Sequence, residues 1–286
     1  MIFDLPPEPP KLWLPAKPAI IRPAEHSLLR PGAFAPVSRA ERRAIVADLV
    51  KSKRLTPREA ARAIFLVPVT GWLTGAPYPV IQTTNSGNNG TSRGTTTTVT
   101  YPTGIAVGDV VILVVTTENS ASITNPSGSG FTQLSNTASS SVTMLVSYQV
   151  AASALSGTFN VTTGNARTSW AILRIDGRQG NPEAGTAATG SGTSPNPPSL
   201  TPSWGSASTL WLSIVGFGGS TSASRAVSSY PSSYVLAVES AGTTSNSSTM
   251  IGVGYRNLAA TSDDPGTYTT TPTDPWVAQT VAIRSA

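Results

Sequence analysis

No cysteine occurs among these 286 residues, and histidine occurs once, as His26. The first absence excludes disulfides and thiolate metal sites, and leaves the redox compartment open. The second removes the usual base from everything beyond residue 26, so Cys–His and Ser–His–Asp catalysis and histidine-held metals are excluded there. His26 itself, among prolines, reads as a solvated or contact residue. Charged side chains are scarce, at 12%. No run approaches the ~18–20 apolar residues of a membrane-spanning helix. Asp4, Glu8 and repeated prolines interrupt the opening segment, which therefore does not resemble a secretory signal. The expectation is a soluble, non-exported chain with no membrane partner.

Carboxylates are few as well. Beyond residue 75 there are eight: Asp109, Glu118, Asp176, Glu183, Glu239, Asp263, Asp264 and Asp274. Asp109 in "VGD" and Asp176 in "DG" are turn chemistry. The adjacent pair in "SDDPG" (262–266) is also a turn, and sequence neighbours there seldom flank a glycosidic bond as two-carboxylate hydrolysis requires. Calcium at that turn is the weaker reading, because oxygen ligands are present without EF-hand spacing. No glycine cluster stands between a strand and a helix as a nucleotide cradle. No catalytic residue, metal or cofactor is expected.

What is abundant is proline, with 24 residues, and glycine, with 25. Residues 1–37 hold nine prolines, which bar a helix or central strand. They also hold Phe3, Leu5, Trp13, Leu14, Ile20 and Ile21, a large apolar load for a backbone that cannot build a core of its own. An extended arm whose side chains anchor on a partner is the expectation.

Residues 38–75 read as a helical hairpin. "SRAE" (38–41) is a capping box, followed by Ile45, Val46, Leu49 and Val50 on one stripe. "TPRE" (56–59) is a second box with Pro57 at the favoured first position, and Ala60, Ala61, Ile64 and Phe65 follow at helical spacing. "LTPREAARAI" looks like the opening of a helix-turn-helix, yet Pro68 and Gly71 fall where a recognition helix would begin. No nucleic-acid partner is expected.

Charge divides the chain at this point. Residues 1–75 carry 12 Lys and Arg against 6 Asp and Glu, and the rest carries 7 against 8. The rest, residues 79–286, repeats. "GDVVILVV" (108–115) is answered by "STLWLSIV" (208–215), and "VSYQVAA" (146–152) by "VGYRNLAA" (253–260), with Tyr148 matching Tyr255. "SGTFNVTT" (156–163) is answered by "PGTYTTTP" (265–272), with Phe159 matching Tyr268, and "AILRI" (171–175) by "TVAIR" (280–284). Short apolar runs between Gly, Ser, Thr, Asn and Pro give a mainly β fold class. The expectation is one β-sandwich of two pseudo-repeated halves, 79–178 and 205–286, because a half this poor in aromatics buries little apolar area alone. Trp211 falls inside a strand pattern and reads as core. Trp170, Trp204 and Trp276 fall at strand ends or loops. Rim packing is their plainer reading, and contact with a glycan is the functional one.

The run "PNPPSLTPSWGSASTLWLSIVGF", the doubled strand pattern and the ending "WVAQTVAIRSA" resemble β-sandwich proteins encoded by tailed phages and prophages. "RPAEHSLLRPGAFAPVSRAERRAIV" is similar to the particle-attachment ends of such proteins. The resemblance covers most of the chain and implies no catalytic residue. It implies a virion component made in the bacterial cytoplasm: a capsid decoration or head-fibre protein whose partners are the major capsid protein or other virion subunits. It also implies a homo-oligomer, with trimer borrowed from phage fibres. The alternative is a fibre module that binds a receptor or host surface glycan.

Overall fold

Long uninterrupted β-branched runs become strands covered on both faces. The clearest is Val110–Glu118, in which every residue is buried. Alternating runs such as Thr158–Ala166 become strands covered on one face only. In the computed structural model, residues 78–219, 223–242 and 248–286 are described. All belong to the unit Trp72–Ala286. The expected arm over 1–37 and helical hairpin over 38–75 lie outside the described residues.

The chain is mainly β, with several antiparallel sheets. One sheet has the order β1-β7-β3-β5-β4, formed by β1 (Val80–Asn88), β7 (Thr168–Asp176), β3 (Val110–Glu118), β5 (Val142–Val150) and β4 (Thr132–Ala138). A second has the order β12-β13-β10-β15-β8, formed by β12 (Val235–Ala241), β13 (Ser248–Ala260), β10 (Ala207–Gly219), β15 (Asp274–Arg284) and β8 (Glu183–Ala184). β9 (Ala188–Gly192) pairs with β15 further along the same edge. Two ribbons complete the set: β2 (Gly94–Thr100) with β6 (Thr158–Ala166), and β11 (Ala226–Ser229) with β14 (Thr269–Thr271). A single 3-10 turn, Ser127–Ser129, is the one helical element among the described residues.

Register fixes which side chains meet. On β3, Ile112 lies opposite Tyr148 of β5 and Leu173 of β7. On β10, Leu212 lies opposite Tyr255 of β13 and Val281 of β15. One buried cluster draws from both sheets, with Ile112, Val114, Met144 and Leu173 from the first and Leu212, Ile214, Ile251 and Val281 from the second. The outer face of the first sheet packs Val111, Leu113 and Val115 against Val99 of β2 and Phe159 and Val161 of β6. The outer face of the second packs Val215 and Phe217 with Tyr268 and the partly buried Val227 of β11. β3 and β10 are therefore covered on both sides, which explains runs with no polar alternation. Hydrogen bonds tie the sheets laterally: Asn88 donates to the Ala241 carbonyl at 2.8 Å, and Ser240 to the Gly87 carbonyl at 2.7 Å. No helix among the described residues is long and apolar enough to cross a membrane.

Candidate functional site

The residues expected to anchor a partner, Phe3, Leu5, Trp13, Leu14, Ile20 and Ile21, lie outside the described residues. The three tryptophans expected at strand ends are placed, and they separate. Trp170 is 6% exposed and Trp276 is 9% exposed, so neither offers a free ring face. Each lies across a strand pair from a glycine, Trp170 opposite Gly87 and Trp276 opposite Gly190. Each ring occupies the space where that glycine's side chain would stand: a Cβ on Gly87 would lie 2.7 Å from the Trp170 ring, and one on Gly190 2.3 Å from the Trp276 ring. Trp204 differs. It is partly buried, packed beside Leu200, Trp211 and Tyr234, with the Arg284 guanidinium 5.6 Å from its ring centroid. Trp211, expected in the core, is fully buried and donates its indole N–H to the Leu258 carbonyl at 3.0 Å.

Most of the carboxylates hold the fold. Asp109 pairs with Arg174 at 2.6 Å and accepts the Ala106 N–H, closing the turn into β3. Glu118 is fully buried, pairs with Arg93 at 2.7 Å and accepts the Arg167 N–H at 3.1 Å. Asp274 pairs with the buried Arg225 at 2.6 Å. Asp263 takes Arg256 and the Tyr234 hydroxyl, while its neighbour Asp264 is exposed. The two carboxylates of that turn thus occupy different environments and do not face one another as an acid–base pair. Glu239 accepts from Tyr230 at 2.7 Å, and Glu183 accepts from the Ser203 N–H at 2.8 Å and from its hydroxyl. No group of three or more His, Cys, Asp or Glu gathers as a metal site among the described residues.

Four phenols sit where ionisation is disfavoured. Burial pushes the Tyr230 hydroxyl far up, and its hydrogen bond to Glu239 pushes the same way. Burial raises Tyr234 and Tyr268 as well, against the partial relief that Arg256 gives Tyr234 and the Ser213 hydrogen bond gives Tyr268. Tyr101 is raised by burial. Such groups are poor proton donors near neutral pH, and their hydroxyls serve as structural hydrogen-bond donors.

Two arginines escaped sequence reasoning. Arg178 and Arg284 reach no carboxylate among the described residues, and both bond to the turn at 179–180. Their signal was faint, since Arg284 merely ends a repeated strand motif and Arg178 lies in the turn that follows one. Comparison with family models, curated proteins and solved structures returns no match.

Proposed function

We propose that this chain is a structural component of a bacteriophage particle, attached to the capsid by its Pro-rich arm. In this reading residues 79–286 form one β-sandwich of two pseudo-repeated halves, displayed as a decoration or head-fibre element. The single observation that carries the reading is a division of labour. An apolar, proline-rich arm, followed by a basic segment, precedes a β region whose ion pairs close mostly on themselves. Such a region asks little of its surroundings, whereas the arm requires a partner to cover it. Many copies on a regular shell would turn weak single-arm contacts into durable attachment, since linked contacts act at high effective concentration.

The sandwich reading rests on the apolar cluster to which both sheets contribute. The pseudo-repeat reading rests on matched surroundings: Ile112 between Tyr148 and Leu173, and Leu212 between Tyr255 and Val281. It gains support beside the ribbons. Residues 193–195 run antiparallel to 268–270, with Thr270 donating to the Thr193 carbonyl and Tyr268 to the Pro195 carbonyl, much as β2 runs beside β6. Self-association of copies, with the trimer as the working number, belongs to the same proposal. Antibody raised against residues 78–286 should decorate the heads of purified particles in immuno-electron microscopy. Unlabelled heads, with the chain found only in the lysate, would oppose the reading.

A further inference from the structure

Among the described residues, five arginines reach a carboxylate: Arg93, Arg167, Arg174, Arg225 and Arg256. The other two, Arg178 and Arg284, do not, and they converge on one turn. Arg178 donates through Nε to the Gly108 carbonyl at 3.0 Å and through its terminal nitrogen to the Gly180 carbonyl. Arg284 donates through Nε to the Gln179 carbonyl at 3.3 Å. These bonds fix the stems and leave terminal N–H groups to spare, because a guanidinium carries five donors. Arg284 also lies over Trp204, which is the one tryptophan among the described residues that is not buried. The Trp204 indole N–H is turned inward, buried and without a hydrogen-bond partner, so only the outer part of the ring faces solvent. Next to Trp204, Ser203 holds the carboxylate of Glu183, which is paired through β8 with the end of β15 where Arg284 stands.

We infer that this patch binds an acidic saccharide, with a sugar ring against Trp204 and its carboxylate or phosphate on Arg178 and Arg284. Each part has a chemical reason. The part of the Trp204 ring that stays exposed can take the apolar face of a sugar. Guanidinium is the side chain suited to bidentate recognition of carboxylate or phosphate. Glu183 keeps lone pairs free to accept sugar hydroxyls, and its charge is already met by two donors from Ser203. Asp176, the other nearby acid, accepts the Gly177 N–H at 2.6 Å. A nucleic acid is the poorer fit, because two cations beside two carboxylates do not make the basic track that a phosphate backbone needs. The inference stands independently of attachment to a particle.

The test uses the full chain on an array of acidic and neutral oligosaccharides, followed by titration. The probes are hexameric oligogalacturonate, a phosphate-bearing oligosaccharide, maltohexaose, inorganic phosphate and a short single-stranded oligonucleotide. Retention of an acidic saccharide over maltohexaose is expected, with affinity falling as salt rises. Arg284→Gln, Arg178→Gln and Trp204→Ala should each weaken binding about tenfold or more, while Arg93→Gln, remote from the patch, should not. Trp204→Phe, which keeps a ring, should lose less than Trp204→Ala, and melting curves should show that the variants are folded. Four results would overturn the inference: no acidic saccharide retained, unchanged binding in the folded arginine variants, inorganic phosphate alone accounting for all binding, or preference for the oligonucleotide.

Discussion

Gly190 and Gly87 are positions where one methyl group should matter, because a tryptophan ring already fills the space beside each. Gly190→Ala would place a Cβ 2.3 Å from the Trp276 ring, so the ring must move. Overpacking of this kind typically costs about 1–3 kcal/mol. Gly128 supplies the control, since a Cβ there meets nothing within 4 Å. Chemical denaturation should show Gly190→Ala and Gly87→Ala destabilised by that amount, and Gly128→Ala within about 0.5 kcal/mol of the parent. Equal effects at all three would contradict this account of the tryptophans. That Trp170 and Trp276 pack was legible as their plainer reading. What covers them was not, because Gly87 is set against Trp170 only by a strand register that links residues far apart in sequence.

At the scale of elements, buried charge and buried phenols make separate predictions. Arg225 and Asp274 have side chains 1% and 5% exposed, and the pair ties the start of β15 to the segment that leads into β11. Asp274→Ala leaves a guanidinium without that carboxylate in a dry site, and removal of one partner of a buried pair costs about 3–5 kcal/mol. Arg93→Ala should cost much less, because its side chain is 44% exposed and Glu118 keeps Arg167. A denaturation series that ranked them the other way would contradict the assignment. For the phenols, burial raises Tyr101, Tyr230, Tyr234 and Tyr268 above the ordinary value near 10. The unfolded chain then loses these protons before the folded one does. Stability should therefore hold up to about pH 10 and fall as pH rises further. Spectrophotometric titration should show a group of tyrosines that ionises only as the fold is lost. Ionisation of all tyrosines near pH 10 with the fold intact would refute it.

The central strands were legible at this scale because apolar runs covered on both faces stand out from Ser/Thr-rich loops. Register was less so. Under the proposed pseudo-repeat, setting Ile112 against Leu212 would match Leu173 with Val281, and so 171–175 with 279–283, one residue away from the expected 280–284. A one-residue slip reverses which face each side chain takes. The run of apolar residues hides such a slip because both faces of β15 are buried.

For the whole molecule, the shared cluster between the two sheets predicts one cooperative unfolding transition for residues 78–286, with calorimetric and van't Hoff enthalpies in agreement. Two separated transitions would mean that the halves are independent modules. A mainly β region was legible from composition and punctuation alone. The convergence of Arg178, Arg284 and Trp204 was not, because three distant stretches meet there only after both sheets have formed. The arm and the helical hairpin rest on proline content and capping boxes, and the functional reading leans on them most. Its most direct test is incorporation into particles. Phage particles assembled with the full chain, or with a version lacking residues 1–37, would be purified and the copies per particle counted by quantitative mass spectrometry. The account predicts a constant, high copy number for the full chain and near-complete loss for the truncated chain, with the truncated protein folded in the lysate. Equal incorporation of the two would contradict it.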